Sequence, residues 1–499
     1  MKTTIFQIVG AEDGNPVVFA TVILSNANLG VISDENGNFR VPAKYLTEDE
    51  SLKISSIGYQ TEEFKVDLIL SRNQFILKLN QKAEPLDEVV LKAKAKEKQY
   101  GARKLVKLAI KNITDNYPLE PFAYISYYRD YQKVVDAREM PKNHSLRTAD
   151  YVNLNEGIVK IFDAGFDTNK FYDSKNQAAL IQYDVNKDFL IDSLLAVPYD
   201  NVKVKYLKGV VVSPLGGNEL NLLYIGNCIR NNNYNSFSFV DVMNKDFVQH
   251  HSFWIDKIVY LDEEPLYKID FLSSIMSMNP YYKGSGSIYI GKNDFGIHKL
   301  SYTNKDVKKN AVLYEVNVEY KKYEDRYFLN YLTFNNYFNI RYGDVFKVES
   351  ILYHYDSSSF HVFFNHDIDP ESIDVSGNTI AFYYRQKKLS IKEMSLIDPK
   401  TLSVKLLPFK KEVTRNDIEN DISYTIHEVR DKFGIHINEG PVVTLKQFRE
   451  IFVQEVFEQK EMDSTFYFID KNKVLSASKT NENKESQKYW VNSPLKESK

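Results

Sequence analysis

The fold of the first domain of this chain is decided near its start, by residues 6–59. Within that stretch, residues 14–22 read GNPVVFATV, residues 33–39 read SDENGNF and residues 56–59 read SIGY. Short runs that alternate apolar and polar residues are separated by Gly, Asn, Asp and Pro at turn spacing, which predicts a small antiparallel β-sandwich. We expect its strands near residues 4–9, 18–25, 30–33, 37–41, 51–56, 58–66 and 74–79.

The dipeptide Asn36-Gly37 predicts a tight hairpin inside this sandwich. A type I′ turn needs positive φ at both central residues, and Asn followed by Gly meets that need best. An acidic turn could also bind calcium, but the loop that begins at Asp34 lacks the twelfth-position ligand of an EF-hand. The sequence therefore favours a hairpin over a calcium site.

These motifs resemble the carboxypeptidase regulatory-like domain, a transthyretin-like β-sandwich common in cell-envelope proteins of Bacteroidetes. The residues that carry the resemblance are Gly14, Pro16, Ala20, Val22, Ser33, Asp34, Gly37, Phe39, Ile57, Gly58 and Tyr59. The resemblance implies an accessory module without catalytic residues. It also implies a setting in the cell envelope, in the periplasm or at the outer membrane.

Residues 86–93, LDEVVLKA, resemble the segment that follows such domains in TonB-dependent outer-membrane receptors. A receptor of that kind needs a plug and a barrel of about 22 strands, for which the rest of the chain is too short. We interpret the segment as a last strand and an exit linker. An accessory role in a TonB-dependent uptake system stays an alternative function.

Composition narrows the class of protein. The chain has 499 residues and a net charge of −3, so it is long enough for several domains and lacks the basic excess of a nucleic-acid-binding protein. No apolar run approaches the roughly 20 residues of a transmembrane helix. The 35 Tyr and 31 Phe residues suit β-sheet surfaces. The single cysteine, Cys228, excludes an intramolecular disulfide and is expected to be a buried structural thiol.

Residues 1–9 run directly into the first predicted strand, with no apolar segment or cleavage site of a signal peptide. We therefore expect either the trimmed mature form of an exported protein or a protein that is not exported. No cysteine near the start could accept a lipid, so this form is not expected to be a lipoprotein.

The period of the apolar residues changes after residue 94. Helical spacing predicts one amphipathic helix that ends before Pro118, with apolar positions at Leu105, Leu108, Ala109 and Ile113. Lys104, Lys107 and Lys111 lie on its other side. A solvated face is favoured over a membrane-surface face, because the helix is single and short.

Residues 122–355 predict a long antiparallel sheet. Residues 312–320 alternate apolar and polar side chains, so one face is expected to be packed and the other wet. Residues 253–271 and 282–300 resemble the strand–turn–strand repeat of lipoprotein-carrier-like half-barrels, which implies an apolar groove for lipid with the helix on the concave side. A transmembrane barrel would show the same alternation, but the charged turns at both strand ends and the helix argue against it.

We find no catalytic, cofactor-binding or metal site in the sequence, and no cofactor is expected. His436 and Glu439 form the one His-x-x-Glu pair, without the later histidine that a zinc carboxypeptidase needs. A surface metal site stays open at a denser cluster, which consists of His354, His361, His366, Asp367 and Asp369. His250 and His251 are expected on opposite faces of a strand. Residues 284–287, GSGS, are expected to open a strand, and nucleophile elbows, P-loops and dinucleotide fingerprints are absent.

Residues 444–457 predict a helix, with Thr444 as its N-cap and with Phe448, Ile451, Phe452 and Val456 on one stripe. This segment and Tyr489-Trp490 resemble parts of the same Bacteroidetes proteins, which suggests one full-length family member. Residues 477–488 are polar and are expected to be mobile.

The sequence thus predicts a mainly β protein with a few helices. Its expected parts are a regulatory-like β-sandwich (1–82), a linker with an amphipathic helix (83–120), a half-barrel-like antiparallel sheet (121–370) and a mixed region with a polar tail (371–499). We expect a noncatalytic cell-envelope binding or assembly protein, in which the sandwich docks and the large sheet holds a lipid, another apolar ligand or an envelope protein. The further alternative is a hydrolase of envelope glycan or peptide that uses acidic residues the sequence does not single out.

Overall fold

The computed structural model describes residues 3–85, 100–136, 147–148, 150–170, 173–187, 189–191, 228–232, 247–274, 282–308, 310–341, 344–374, 379–408, 418, 421–458, 462, 464–470, 473, 475–481 and 488–491. The chain divides into two compact units. The first consists of Met1–Lys133, Asp150–Phe338 and Lys446–Lys499, and the second of Val134–Ala149 and Asn339–Leu445. Both are built mainly of antiparallel strands, which confirms the predicted fold class.

The N-terminal part of the first unit is the predicted β-sandwich. Its elements are β1 (Thr3–Gly10), β2 (Thr21–Leu24), β3 (Leu29–Ile32), β4 (Asn38–Pro42), β5 (Ser51–Ser55), β6 (Glu62–Lys65), α1 (Val66–Ser71) and β7 (Ile76–Leu79). Two sheets, ordered β4-β1-β7 and β3-β2-β5-β6, enclose a core that includes Phe6, Val22, Phe39 and Leu77. We call this part the N-terminal module. Seven strands lie where seven were predicted, and α1 was not foreseen.

The predicted hairpin at Asn36-Gly37 is wrong, although a turn is there. The strands on either side of it, β3 and β4, belong to different sheets, so the turn crosses the sandwich. Gly37 has a φ of +76°, but Asn36 keeps a negative φ, which excludes type I′ geometry. The side chain of Asp34 shapes the turn, because its Oδ1 accepts the N–H groups of Asn36 at 2.8 Å and Asn38 at 2.9 Å.

The predicted amphipathic helix is confirmed as α2 (Ala102–Lys111), which is followed by a short α3 (Ile113–Asn116). Leu105, Val106 and Ala109 are buried, whereas the three predicted lysines are exposed. The helix ends ahead of Tyr117-Pro118, as expected, because the residue before a proline is disfavoured in the α region.

The remaining strands build the large sheet of the first unit and the sheets of the second. They are β8 (Ala83–Pro85), β9 (Phe122–Asp136), β10 (Tyr151–Asp163), β11 (Gln177–Val185), β12 (His251–Leu261), β13 (Glu264–Ser273), β14 (Tyr282–Gly291), β15 (Ile297–Asp306), β16 (Ala311–Tyr323), β17 (Arg326–Arg341), β18 (Val348–His354), β19 (Ser359–Phe364), β20 (Ile380–Tyr384), β21 (Lys387–Lys388), β22 (Ile391–Asp398), β23 (Thr401–Leu406), β24 (Ile422–Ile426) and β25 (Val442–Phe457). A short α4 (Val248–His250) precedes β12.

An 11-stranded sheet dominates the first unit, in the order β11-β10-β9-β25-β17-β16-β15-β14-β13-β12-β8. The two hairpins predicted from residues 253–271 and 282–300 are present as β12–β13 and β14–β15. β8, which leaves the N-terminal module, pairs with β12 at the sheet edge. The module is therefore joined to the sheet through backbone hydrogen bonds and not only through a linker.

Both faces of this sheet are covered. On one face, which we call the helix-side face, α2 packs against residues such as Ile269, Phe271, Ile288 and Tyr314. The other, which we call the module-side face, carries the N-terminal module, where Ile32 joins Tyr127, Tyr331 and Phe452 in one cluster. The alternation predicted for residues 312–320 is present, but its expected wet face is buried at Glu319 because the module covers it.

The helix predicted at residues 444–457 is wrong, because this segment is the strand β25 in the middle of the sheet. Phe452 packs on the module-side face, while Ile451 and Val453 pack on the helix-side face. A strand that is buried on both faces does not show the usual alternation of apolar and polar residues. The apolar residues at 448, 451 and 452 then have the spacing of one face of a helix.

The second unit has its own core. A four-stranded sheet in the order β18-β19-β23-β22 and a three-stranded sheet in the order β21-β20-β24 enclose Phe360, Val362, Phe382 and Leu402, among others. A 3₁₀ turn at Pro370–Ser372 is capped by Asp369, whose Oδ1 accepts the N–H of Glu371 at 3.0 Å. Among the described helices of the chain, none is long and apolar enough to span a membrane.

Candidate functional site

A cleft of about 180 Å³ opens on the module-side face of the sheet. One wall comes from β2 and β3 of the N-terminal module, and the other from β16, β17 and β25. Its apolar lining includes Ile23 and Phe328, and its polar lining includes Thr21, Asn330 and Lys321. The cleft thus combines apolar walls with a few polar groups, as ligand sites usually do.

Side-chain amides fix the two walls against each other. Asn330 Nδ2 donates to Thr21 Oγ1 at 2.8 Å and to Glu319 Oε1 at 3.2 Å. Gln454 Nε2 donates to the carbonyl oxygens of Gly30 at 3.3 Å and Trp490 at 3.4 Å. Because these donors and acceptors are buried, the cleft has a preformed shape.

The two lysines that line the cleft, Lys321 and Lys322, differ in their ion-pair partners. Among the described residues, no carboxylate oxygen lies within 4.0 Å of the Nζ of Lys321. The same holds for Lys53 on β5, which is directly opposite Ile23 of β2. Desolvation, together with repulsion from Lys53, lowers the pKa of Lys321 against the attraction of Asp262 and Glu319. Lys321 therefore has no ion pair with a described carboxylate, although Asp262 and Glu319 attract its ammonium group.

The acids beside the cleft are already engaged. Glu455 Oε2 accepts hydrogen bonds from Lys488 Nζ at 2.8 Å and from Tyr489 OH at 2.6 Å. Asp294 lies 3.3 Å from the Nζ of Lys322, and its other contacts lower its pKa. Glu455 and Asp294 are thus held by their own partners.

A buried ionic network lies deeper on the same face. Arg129 on β9 pairs with Glu450 on β25, and Asp34 of the module's crossing turn faces this pair. Beside them, Glu35 accepts from Lys133 Nζ at 3.0 Å and Tyr151 OH at 2.6 Å. Burial raises the pKa of Asp34, against the opposing attraction of Arg129.

This network gathers several acids and bases, which is the arrangement a hydrolase would need. The void beside it, however, measures about 10 Å³, the room for about one water molecule. Arg129 and Glu450 are engaged with each other across neighbouring strands. The arrangement suits the attachment of the module to the sheet better than the binding of a substrate.

A second ionic cluster is also closed. Asp163 accepts from Lys170 Nζ at 2.7 Å and from Arg230 at 2.6 Å. Lys170 also donates to Thr168 Oγ1 at 2.9 Å and to the carbonyl oxygen of Gly165. Burial lowers the pKa of Lys170 to about 8, but its three donors are all used, so it fixes the loop that follows β10.

A third cluster lies at the turn end of the large sheet. Tyr327 OH donates to Asp294 Oδ2 at 2.8 Å, so its oxygen is left to accept from His298 Nε2 at 3.1 Å. Because a phenol has one proton, this network requires a proton on Nε2 of His298. Glu264 lies 3.6 Å from the same nitrogen. Tyr327 and His298 are almost fully buried, which keeps this hydrogen-bonded set inside the fold.

The histidine candidates of the second unit are dispersed. The rings of His354 and His361 stack with centroids 3.8 Å apart on an outer sheet face. His366 instead lies 3.0 Å from Asp431, while Asp367 pairs with Lys432 at 2.6 Å and Asp369 with Arg430 at 3.3 Å. Across the described residues, no group of three or more His, Cys, Asp and Glu side chains is placed to hold a metal ion.

The other sequence candidates lie apart from the cleft. His436 and Glu439 lie in the predicted turn, where Glu439 N donates to the carbonyl of His436. His250 ends α4 and only His251 begins β12, so the expectation of two histidines on one strand is wrong. Cys228 is buried as expected, and burial raises its pKa. Residues 284–287 lie on β14, and residues 86–93 fall outside the described residues.

Sequence reasoning missed the cleft and the network below it. Lys321 and Lys53 carry no motif, and Arg129 and Glu450 are 321 residues apart in the chain. An available signal was the charged pair Arg449-Glu450 between the apolar residues Phe448 and Ile451, since ionic residues within a buried strand need partners.

Comparison with known proteins identifies the first part of the chain. Residues 7–91 match the model of the CarboxypepD_reg-like domain. The N-terminal module is a CarboxypepD_reg-like domain. A curated relative, the TonB-dependent receptor SusC of Bacteroides thetaiotaomicron, is 35% identical over 90 residues. That match covers 18% of this chain and 8% of the receptor.

Solved structures give weaker matches. A LolA superfamily protein from Nitrosomonas europaea is 10% identical with a TM-score of 0.19, over 48% of this chain and 86% of its own. A putative outer membrane lipoprotein-sorting protein domain from Vibrio parahaemolyticus is 12% identical with a TM-score of 0.20, over 46% and 84%. A DUF1329 family protein from Desulfovibrio piger is 8% identical with a TM-score of 0.20, over 48% and 87%. Scores this low support no argument about function.

Proposed function

We propose that this chain is a noncatalytic cell-envelope protein that binds a ligand or a partner in the cleft beside its CarboxypepD_reg-like domain. The envelope setting rests on that domain and on the likeness to an outer-membrane receptor. The observation that carries the binding role is the cleft itself, which is preformed, partly apolar and lined by Lys321, a lysine that forms no ion pair with a described residue.

The proposed binding site differs in location from the groove expected from the sequence. On the helix-side face, α2 and the aromatic residues around Phe271 fill the space beside the described strands. The cleft lies on the opposite face, between the module and β16, β17 and β25. We therefore assign the binding role to the module-side face, where the module forms one wall of the site.

A noncatalytic role is supported by how the acids and bases are used. Arg129 with Glu450, and Asp163 with Lys170 and Arg230, form closed ionic clusters within the fold. Catalytic groups need access to a substrate and room for it. The void at the first of these clusters has room for about one water molecule.

Native mass spectrometry of the protein purified from its own host tests this proposal. We expect a discrete mass above that of the chain, which disappears on denaturation. Ile23→Trp should remove the added mass, because the larger side chain fills the cleft that Ile23 lines. Ile5→Trp is the matched control, since Ile5 is an exposed residue on β1 of the same module.

Two results would contradict the proposal. One is that native mass spectrometry of every preparation finds only the mass of the chain. The other is turnover of envelope glycan or peptide fragments by the purified protein. An added mass that survives Ile23→Trp and Ile5→Trp alike would place the ligand outside the cleft.

A role as an accessory of a TonB-dependent uptake system is the second candidate. The observation that favours it is the 35% identity to a TonB-dependent receptor over 90 residues. Crosslinking in intact cells, followed by purification, should then recover such a receptor with this chain. Recovery of the chain without any receptor would argue against this role and leave the binding role untouched.

A further inference from the structure

We propose that His354 and His361 of the second unit form a two-histidine site for one copper(II) ion. The two imidazole rings supply nitrogen ligands, and water supplies the others. This inference goes beyond the proposed binding function, because the two histidines belong to the second unit and the cleft belongs to the first.

The strand register places both histidines on one face of their sheet. His354 on β18 is opposite Ser359 of β19, and His361 follows two residues later on β19. Residues two apart on a strand point to the same face, and the alternating residues Phe360 and Val362 point into the core. Diagonal neighbours of this kind are within reach of each other. The backbone therefore holds the two rings together on the outer face.

The distance between the rings suits two ligands of one ion. The ring centroids of His354 and His361 are 3.8 Å apart, and the ring planes are inclined by 29°. Bonds between a metal ion and imidazole nitrogen are about 2.0 Å long, so two such nitrogens at right angles lie about 3 Å apart. Rotation of each ring about its Cβ–Cγ bond brings the nitrogens to that arrangement, and this torsion has a broad energy minimum.

The ring nitrogens of this pair have no competing partner. Among the described residues, no hydrogen bond or ion pair engages a ring nitrogen of His354 or His361. By contrast, His251, His298 and His366 each have a ring nitrogen within hydrogen-bond distance of another group. A metal ion can therefore bind this pair without breaking a contact within the described fold.

The surroundings give access to the pair and disfavour ions that are held by charge alone. β18 is an edge strand of its sheet, and His354 is exposed. Desolvation and repulsion from His354 lower the pKa of His361, which favours the neutral imidazole that metals bind. Lys405, opposite Ser359 on β23, adds a positive charge to the same face. An ion that forms strong bonds to nitrogen is therefore favoured.

The ligand set indicates copper(II). Calcium and magnesium take oxygen ligands, which this pair does not offer. Structural zinc sites use four protein ligands, and among the described residues no group of three is placed to hold a metal ion. The affinity of nitrogen ligands is highest for copper(II), which also accepts a tetragonal arrangement of nitrogen and oxygen ligands. Two imidazoles completed by water fit that preference.

Copper(II) binding to matched variants tests the proposal. Calorimetric titration with glycine as a weak competitor measures the affinity, and electron paramagnetic resonance counts the bound imidazoles. We expect one ion per chain with two imidazole nitrogens. His354→Asn and His361→Asn should each weaken binding about a hundredfold, because the second ligand of a chelate binds from a high effective concentration. His427→Asn, at an exposed histidine of the same unit, should bind like the unmodified protein.

A labelling measurement on the unmodified protein guards against altered folding. Copper(II) should protect His354 and His361, but not His427, from acylation by diethyl pyrocarbonate. The proposal is overturned if the double variant His354→Asn/His361→Asn binds copper(II) as tightly as the unmodified protein, or if copper(II) protects neither histidine. Resonance from a single imidazole would also overturn it, and tighter binding of zinc(II) than of copper(II) would overturn the choice of metal.

Discussion

The two faces of the 11-stranded sheet are built on different principles. The helix-side face is an apolar core in which Ile269, Ile288 and Leu332 pack with α2. The module-side face mixes apolar residues with paired charges and amides, such as Arg129 with Glu450 and Asn330 with Thr21. Apolar packing is non-directional, whereas ion pairs and amides demand particular partners. The first face contributes stability that is spread over many similar contacts, whereas the second depends on a few specific pairs that fix where the module sits and hence the shape of the cleft.

The largest effect should come from breaking the buried ion pair on the module-side face. Arg129→Met leaves Glu450 buried without its partner, which should cost about 3–5 kcal/mol in free energy of unfolding. The double variant Arg129→Met/Glu450→Leu should be less destabilised, because no charge is then stranded. Urea unfolding measures both.

The exposed pair of Lys82 and Glu263 is the control for that experiment. The Nζ of Lys82 lies 2.9 Å from Glu263 Oε2, but the side chain of Glu263 is 93% exposed. Lys82→Met should therefore lower the free energy of unfolding by less than about 1 kcal/mol. A double variant as unstable as Arg129→Met alone would show that the module-side face does not depend on paired charge.

The second effect concerns pH and the helix-side face. Burial lowers the pKa of His251 to about 4 from an ordinary 6.5, and its Nδ1 lies 2.8 Å from the carbonyl oxygen of Phe247. Because the unfolded chain takes up this proton at higher pH, stability is full above pH 6.5 and falls as the pH approaches 4. The loss should reach about 3 kcal/mol.

His251→Phe is the matched variant, since His251 lies among the rings of Phe247, Phe253 and Phe271. The variant should retain stability between pH 6.5 and pH 4 better than the unmodified protein, as measured by thermal unfolding at several pH values. Identical pH profiles would mean that His251 does not stay neutral in the folded state.

The third effect tests the contact between the module and the sheet. Asn330→Ala removes the hydrogen bonds to Thr21 and Glu319, and the loss should be about 1–3 kcal/mol because buried acceptors are left unpaired. Asn80→Ala removes an exposed hydrogen bond to Glu62 and should change stability by much less. Equal values for the two variants would contradict a specific role of buried amides on this face.

The smallest effect belongs to the apolar face. Ile288 is fully buried, yet Ile288→Val removes only one methyl group and should cost about 0.5–1.5 kcal/mol. Urea unfolding again gives the value. A larger loss of unfolding free energy for Ile288→Val than for Asn330→Ala would contradict the proposed difference between the two faces.

Local motifs made the N-terminal module predictable. Gly37 and Asp34 mark a turn by their own chemistry, and short alternating runs mark the strands around it. The path of that turn was not predictable, because only tertiary structure decides whether β3 and β4 share a sheet. The amphipathic helix was found for the same local reason, since its buried and exposed sides differ in polarity.

The rest of the site depends on residues that are far apart in the chain. β25 was taken for a helix because burial on both faces hides its alternation, and this strand forms part of the cleft wall. Thr21 and Asn330 are 309 residues apart, so no local pattern links them. The cleft forms only where the module packs against the sheet, and a single sequence carries no signal for this long-range contact.

The position of β25 determines the order in which the large sheet can fold. It lies between β9 and β17, so it alone connects the ribbon β11-β10-β9 to the ribbon that runs from β17 to β8. A ribosome finishes β25 only after making all the other strands that the structure describes, and Trp490, which enters the core of the module, follows later still. During synthesis, both ribbons therefore have an edge strand without its neighbour. The pairing of β25 with β9 and β17 is a late event that requires many long-range contacts, which are slow to form.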